Sequence, residues 1–329
     1  MGARQGRAVL IVTHARDDHV PLVAGALAAR GADAVRFDTD GYPAHARVGF
    51  AISRGVPEVR ISLPGRELRG DEVGAVLYRH RVLPDAPAGM DEEAAPLVRS
   101  ELQAALDGAL LALDATWVNH PHANRLARHK LLQLRLARAE GLRVPETTVS
   151  ADPEEIRARF RGWGGRMVAK LAGGQLPLTA DGEAYAIYTT RVEAGDLADD
   201  AALAASPAMY QEEIAKAHEL RVTVVGDEVL ACRIDSPGVE AARVDWRAAG
   251  RGAVPHSAVE LDATLADRCR ALTRRLGLRM AGLDLIVTPE GEPVFLELNA
   301  AGQWAWIEEA TGLPIAAAIA GELLAGARG

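Results

Sequence analysis

The sequence predicts an α/β fold, with α+β elements, arranged in more than one domain. The opening supplies the first observation. An unbroken apolar run at residues 8–13 reads as a buried strand, residues 19–30 read as a helix closed by Gly31, and residues 33–37 read as a second strand. The later chain supplies the second, because strands with period-two alternation and hairpin turns replace that strand–helix–strand order. Length supplies the third: 329 residues exceed one typical domain.

Each element follows in order. Residues 14–18 form a polar turn, and no G-x-G-x-x-G follows the first strand, so the opening unit lacks a dinucleotide fingerprint. Residues 48–53 and 58–63 read as a hairpin, 75–79 as a strand and 94–113 as a long helix. The turn-rich NHPHAN stretch at 119–124 marks a boundary, and one helix is expected over 125–140, ended by Gly141. A helix at 154–160 and a strand at 167–171 precede a loop opened by Gly173 and Gly174. Strands follow at 209–214, 219–225 and 228–235, the last two joined through Gly226-Asp227. A helix at 261–276, a strand pair at 279–287 and 293–298, and a closing helix at 313–324 complete the chain. The expected division is 1–118, 119–207 and 208–329.

Composition narrows the function. Hydrophobic residues at 49% and charged residues at 25% describe an ordinary globular protein. No run reaches the roughly 18 apolar residues of a membrane span, and the short run after Arg4 and Arg7 does not make a signal peptide. Two cysteines, Cys232 and Cys269, give neither a disulfide framework nor a zinc pattern, so a cytoplasmic location is expected. A net charge of −8 argues against a nucleic-acid partner. Of 37 basic residues only Lys130, Lys170 and Lys216 are lysines. A lysine kept against that bias suits a site needing a compact ammonium rather than a planar guanidinium.

The sharpest chemistry lies in AGLDLIVTPEGEPVFLELN, residues 281–299. Val294, Leu296 and Leu298 are expected on one face of the second strand, with Glu297 and Asn299 on the other. If Glu290-Gly291 is a two-residue turn, Asp284 stands opposite Glu297, about 4.5–5.5 Å apart at Cβ. Like charges at that spacing need a compensating cation. Two carboxylates and an amide oxygen suit Mg2+, whereas the plain alternative is a solvent-facing strand edge.

Taken together these features resemble the ATP-grasp superfamily, from about residue 119 to 324, behind an N-terminal α/β pre-ATP-grasp domain. The residues that carry the likeness are the helix lysine in HANRLARHKLLQL, the strand lysine in RMVAKLAGG, the hinge MYQEEI, the segment ELRVTVV and the Asp284/Glu297/Asn299 set. The resemblance implies ATP and Mg2+. Lys130 and Lys170 would hold phosphates, Glu212 and Ile214 would meet adenine through their backbone, and Glu219 would reach the ribose. Asp284, Glu297 and Asn299 would bind Mg2+, and Arg233, in VLACRIDS, would face the transferring phosphoryl group.

A narrower likeness rests on QEEIAKAHELRVTVVGDEVLACRIDS and on VDWR at 244–247. Both are similar to the maturases of graspetides, the microviridin-type peptides. By that resemblance Asp245 and Arg247 bind the core of a ribosomal precursor peptide that also carries a leader. The early VLYRHR stretch departs from the family pattern at His80, and Trp304 and Trp306 read as packing residues. The implied reaction activates a Glu or Asp side chain as an acyl phosphate, which a hydroxyl or amine then closes into a macrocycle. Two alternatives stand beside it: a glutamate-ligase-like enzyme that joins separate molecules, and a nucleotide-bound peptide-recognition module without turnover. A homodimer is left open.

Overall fold

The computed structural model describes residues 7–173, 178–180, 183–185, 189–236, 238–239, 246 and 252–327. Its first part comprises β1 (Ala8–Thr13), α1 (Val20–Ala28), β2 (Ala34–Asp38), β3 (Arg47–Ser53), β4 (Val56–Leu63), β5 (Arg66–Arg69), β6 (Val73–Tyr78), α2 (Ala95–Leu111) and β7 (Thr116–Val118). Strands β2-β1-β6-β7 form a parallel sheet in that order, and β3-β4-β5 form an antiparallel one. Every residue of β1 is buried because the strand is covered on both faces, as its continuous apolar run requires. Val9 and Ile11 face α1, while Leu10 and Val12 face Leu106 and Leu110 of α2 and Ile61 of β4.

The boundary region departs from expectation. Instead of one helix over 125–140 there are two, α3 (Pro121–Ala127) and α4 (Lys130–Ala139), with His129 extended between them. A distant strand causes the break. The buried Gln133 amide donates to Ala127 O at 2.5 Å and to Leu298 O at 2.7 Å, and accepts from Leu298 N at 2.8 Å. Nor is Asn119 a solvated turn residue: its side chain bonds Arg279 N, Met280 N and O, and Ala300 O.

The central part contains β8 (Thr147–Ser150), α5 (Pro153–Gly162), β9 (Met167–Lys170), the hairpin β10 (Leu178–Ala180) and β11 (Glu183–Tyr185), β12 (Thr190–Arg191), α6 (Asp200–Ala204) and β13 (Ala208–Glu212). Its sheet order is β12-β9-β13-β8. Ile156, Met167, Leu203 and Tyr210 pack between that sheet and its helices.

The last part holds β14 (His218–Val225), β15 (Glu228–Ile234), β16 (His256–Val259), α7 (Ala263–Arg275), β17 (Met280–Val287), β18 (Pro293–Asn299), α8 (Ala305–Thr311) and α9 (Ile315–Ala327). Its antiparallel sheet runs β16-β15-β14-β17-β18. One face, with Leu220, Val222, Leu283 and Leu298, packs on α4 and α7. The other, with Val225, Ile234 and Met280, meets α8 and α9. Helix α9 also lies against β1, β6 and β7, so the last helix completes the core of the first sheet. Among the described residues no helix is long and apolar enough to cross a membrane.

Candidate functional site

The site is built on β14, β17 and β18. The turn between the last two differs from the expected two-residue form. Thr288 N donates to Glu292 O at 3.0 Å and Gly291 N to Thr288 O at 2.9 Å, with Gly291 at φ +86°, so residues 289–291 form the loop. That shifts the pairing near the turn, where Leu285 faces Phe295. Leu296 then bulges out of the ladder, and beyond it Asp284 faces Glu297, as expected. The bulge also swaps sides. Phe295, opposite Leu285, shares the inner face with Leu298, whereas Val294, opposite Ile286, does not; the expected Val294/Leu296/Leu298 face is thereby corrected.

Two acids meet two cations here. Arg221 Nη1 donates to both oxygens of Asp284, at 2.7 and 2.8 Å, and Lys130 Nζ lies 3.1 Å from Glu297 Oε2. Lys130 manages this because it opens α4 rather than sitting within a helix. Asn299 Nδ2 bridges the acids, 3.2 Å from Asp284 and 3.3 Å from Glu297. Among the described residues no group of three His, Cys, Asp or Glu side chains is arranged for a metal. The donor set is instead two carboxylates and an amide, all hard oxygens once Asn299 turns its oxygen inward, and that chemistry fits Mg2+.

Arg221 escaped the sequence reading, although a signal was present. An arginine at the centre of the apolar strand ELRVTVV must have a buried partner. Its guanidinium also donates to Gln303 O at 3.3 Å. A Cβ on Gly302 would lie 2.5 Å from Arg221 Nη2, so any larger residue there would push the guanidinium from its place.

Glu219, two residues before Arg221, shares its face. The Glu219 Oε1 atom accepts from Lys216 Nζ at 2.6 Å and Ser236 Oγ at 2.7 Å. Burial pushes its carboxyl above the usual range, and Lys216 and Ser236 oppose that rise. Arg233 lies on the other face of the sheet. It pairs with Leu220, on the face opposite Glu219, Arg221 and Asp284, and its guanidinium binds Asp235 at 2.7 Å. The arginine that faces the acids is Arg221.

Lys170 pairs with Met209 across β9 and β13, on the face where Met209 packs with Leu220 of the last sheet. Glu212 closes β13; its N–H donates to Glu146 O at 3.1 Å and its side chain accepts from Glu146 N at 3.0 Å. Half-buried Ile214 follows in the short link to β14. Asp245 and Arg247 lie outside the described residues. Trp246, between them, contacts Trp306 at 5.1 Å and His256 at 5.8 Å between ring centroids.

Residues 8–125 match the MvdD pre-ATP grasp domain and residues 127–323 match the RimK-like ATP-grasp domain. The chain belongs to the RimK-like ATP-grasp family. The expected ATP-grasp fold behind a pre-ATP-grasp domain is therefore borne out. The chain is 32% identical over 205 residues to a probable alpha-L-glutamate ligase of Enterobacter sp. (strain 638), covering 60% of this chain and 64% of that protein. The chain thus spans less than two thirds of the length of that curated relative. Over nearly the whole chain the structure is similar to the macrocyclase MdnC of Microcystis aeruginosa MRC, solved with its precursor peptide MdnA. That likeness has a TM-score of 0.85 at 32% identity and covers 97% of this chain and 99% of MdnC. A Chryseobacterium gregarium RiPP-associated ATP-grasp ligase, solved with ADP and a leader and core peptide, gives 0.89 at 28% identity and 96% coverage of each chain. The resemblance to graspetide enzymes stands.

Proposed function

We propose that this RimK-like ATP-grasp chain is an ATP-dependent, ADP-forming peptide ligase that closes side-chain ester or amide macrocycles in a ribosomal precursor peptide. The observation that carries it is the Asp284–Glu297–Asn299 cluster faced by Arg221 and Lys130. The likeness to MdnC over the whole chain supports the choice of substrate.

A carboxylate is a poor electrophile at neutral pH. Transfer of the γ-phosphoryl group to a Glu or Asp side chain of the peptide gives an acyl phosphate, which a Ser or Thr hydroxyl or a Lys amine attacks, releasing phosphate. Such chemistry needs positioning and charge neutralisation more than covalent help from the protein. Lys130 and Lys170 hold phosphate oxygens as point charges, Arg233 faces the transferring phosphoryl group, and Arg221 neutralises charge beside Asp284. Glu212 and Ile214 offer backbone groups to adenine, and Glu219 faces the ribose. When bound, Mg2+ would be held by Asp284, Glu297 and Asn299 and would supply Lewis-acid neutralisation of the phosphates. Asp245 and Arg247 take the core, with the bidentate guanidinium suited to the carboxylate being activated. The enzyme works in the cytoplasm.

A second reading, a glutamate-ligase-like activity joining separate molecules, is favoured by the Enterobacter relative. Mass spectrometry separates them. With ATP, Mg2+ and a precursor encoded beside this gene, cyclisation removes one water per link, whereas intermolecular ligation adds mass. A mass gain with no dehydrated product refutes the macrocyclase reading.

A further inference from the structure

Away from the acids, at the carboxyl ends of β1 and β6, lies a buried polar network that the reaction above does not use. Thr13, Asp17, His19 and Arg79 are each no more than 6% exposed. Asp17 accepts from Thr13 Oγ1 at 2.7 Å, Arg79 Nε at 2.7 Å and His19 N at 3.1 Å, and its Oδ1 lies 3.0 Å from His19 Nδ1. The other imidazole nitrogen, Nε2, lies 3.1 Å from Trp304 N. A backbone N–H only donates, so Nε2 accepts and Nδ1 carries the proton given to Asp17. Asp17 thereby fixes both the tautomer and the ring. The Trp304 indole stands edge-on to that ring, 4.9 Å between centroids.

Trp304 ends the five residues that follow Asn299, and four of the five are tied down by hydrogen bonds. Ala300 O accepts from Asn119 at 2.9 Å. Gly302 N donates to Asn299 O at 3.2 Å, and Gln303 O accepts from Arg221 at 3.3 Å. The N-terminal domain thus grips the segment at Trp304. The same segment carries the glycine and the carbonyl against which the Arg221 guanidinium rests, while Arg221 in turn holds Asp284.

We propose that His19, oriented by Asp17, is a positioning residue for the Mg2+–nucleotide site. It acts through the Trp304 N–H, which fixes residues 300–304 and so the placement of Arg221 against Asp284. The inference rests on the proposed ATP-grasp site and adds to it a residue from a domain that contributes no metal ligand.

Two isosteres test it. Gln places an oxygen where Nε2 stands and keeps the acceptor for Trp304; Asn matches Nδ1 and keeps only the Asp17 contact. Binding of a non-hydrolysable ATP analogue to the full chain is measured by calorimetry with and without Mg2+. His19→Asn should weaken the Mg2+-dependent affinity about tenfold, the lower end for groups that orient ligand-bearing elements, with His19→Gln near wild type. Metal-free binding should change little in both. The inference is overturned if both variants bind as wild type, if they weaken equally, or if metal-free binding falls in proportion. Should the Asn variant not fold, Gly302→Ala disturbs the same segment from its other side. It is expected to show the same metal-selective loss, and unchanged binding would overturn the inference. A wild-type chain that binds no Mg2+–nucleotide refutes the ATP-grasp site reading itself; because no peptide is needed, failure to cyclise leaves this result readable.

Discussion

Replacing Arg221 with methionine removes a cation while keeping a long apolar stem. In the native structure the Arg221 and Asp284 side chains are only 10% and 21% exposed. Breaking a fully buried ion pair from one side costs roughly 3–5 kcal/mol, and the partial exposure of Asp284 lowers that to about 2–3 kcal/mol. For a chain longer than 250 residues each kcal/mol moves the melting temperature by about 2 °C, so a fall of about 4–6 °C is expected. Differential scanning fluorimetry reads it directly. Mg2+ should restore more of the loss in the variant than it adds to wild type, because Asp284 then regains a counter-charge. Turnover should fall about 100-fold or more, as for removal of one preorganised group facing developing charge. A methionine variant that melts with wild type and turns over normally would remove Arg221 from the site.

Further predictions follow from the same geometry. Glu297→Gln should abolish Mg2+-dependent nucleotide binding by calorimetry while the circular dichroism spectrum stays native. Lys170→Arg should lose turnover despite its charge, because a broad guanidinium places that charge differently; unchanged ATP affinity and rate would make it an ordinary strand residue. Arg233→Ala should lower turnover while shifting stability by less than about 1 kcal/mol, since its ion pair with Asp235 is half-exposed; unchanged turnover would remove Arg233 from the reaction. Asp17→Asn should act through pH. Burial alone would raise the Asp17 carboxyl, but the bonds from His19, Arg79 and Thr13 outweigh it and hold the group well below the usual range. Its ionised form therefore stabilises the native state fully above about pH 4, and that stabilisation is lost as the pH falls. Thermal melts should show a deficit of about 3 kcal/mol at neutral pH that narrows below about pH 4; a pH-independent deficit contradicts the assignment.

What the sequence revealed depended on how local its causes were. The Asp284–Glu297 pairing was legible because alternation and one turn confine it to a single hairpin. It held although the turn is one residue longer than expected, since the bulge at Leu296 restores the register. The break before Lys130 was not legible. No glycine or proline separates Leu126 from Leu131, and the cause is a Gln133 contact with a strand 165 residues away. Arg221 was hidden for a related reason: its partners Asp284 and Gln303 come from β17 and the segment before α8. The short β5 and α8 also went unread, each being recognisable only by what it packs against.

The return of α9 to the first sheet has a consequence for how the chain is made. Strand β1 leaves the ribosome long before α9, yet one face of its sheet waits for Ile315, Ile319 and Leu323. At roughly 5–20 residues per second, the ~300 residues between them take about 15–60 s to emerge. Throughout that interval Val9, Ile11, Ala75 and Leu77 lack the apolar cover that α9 supplies. A nascent chain stalled before α9 would be a client for chaperones, and a fragment expressed without α9 should be recovered in the insoluble fraction. Ordered emergence thus leaves the core of the first sheet open until α9 has been made.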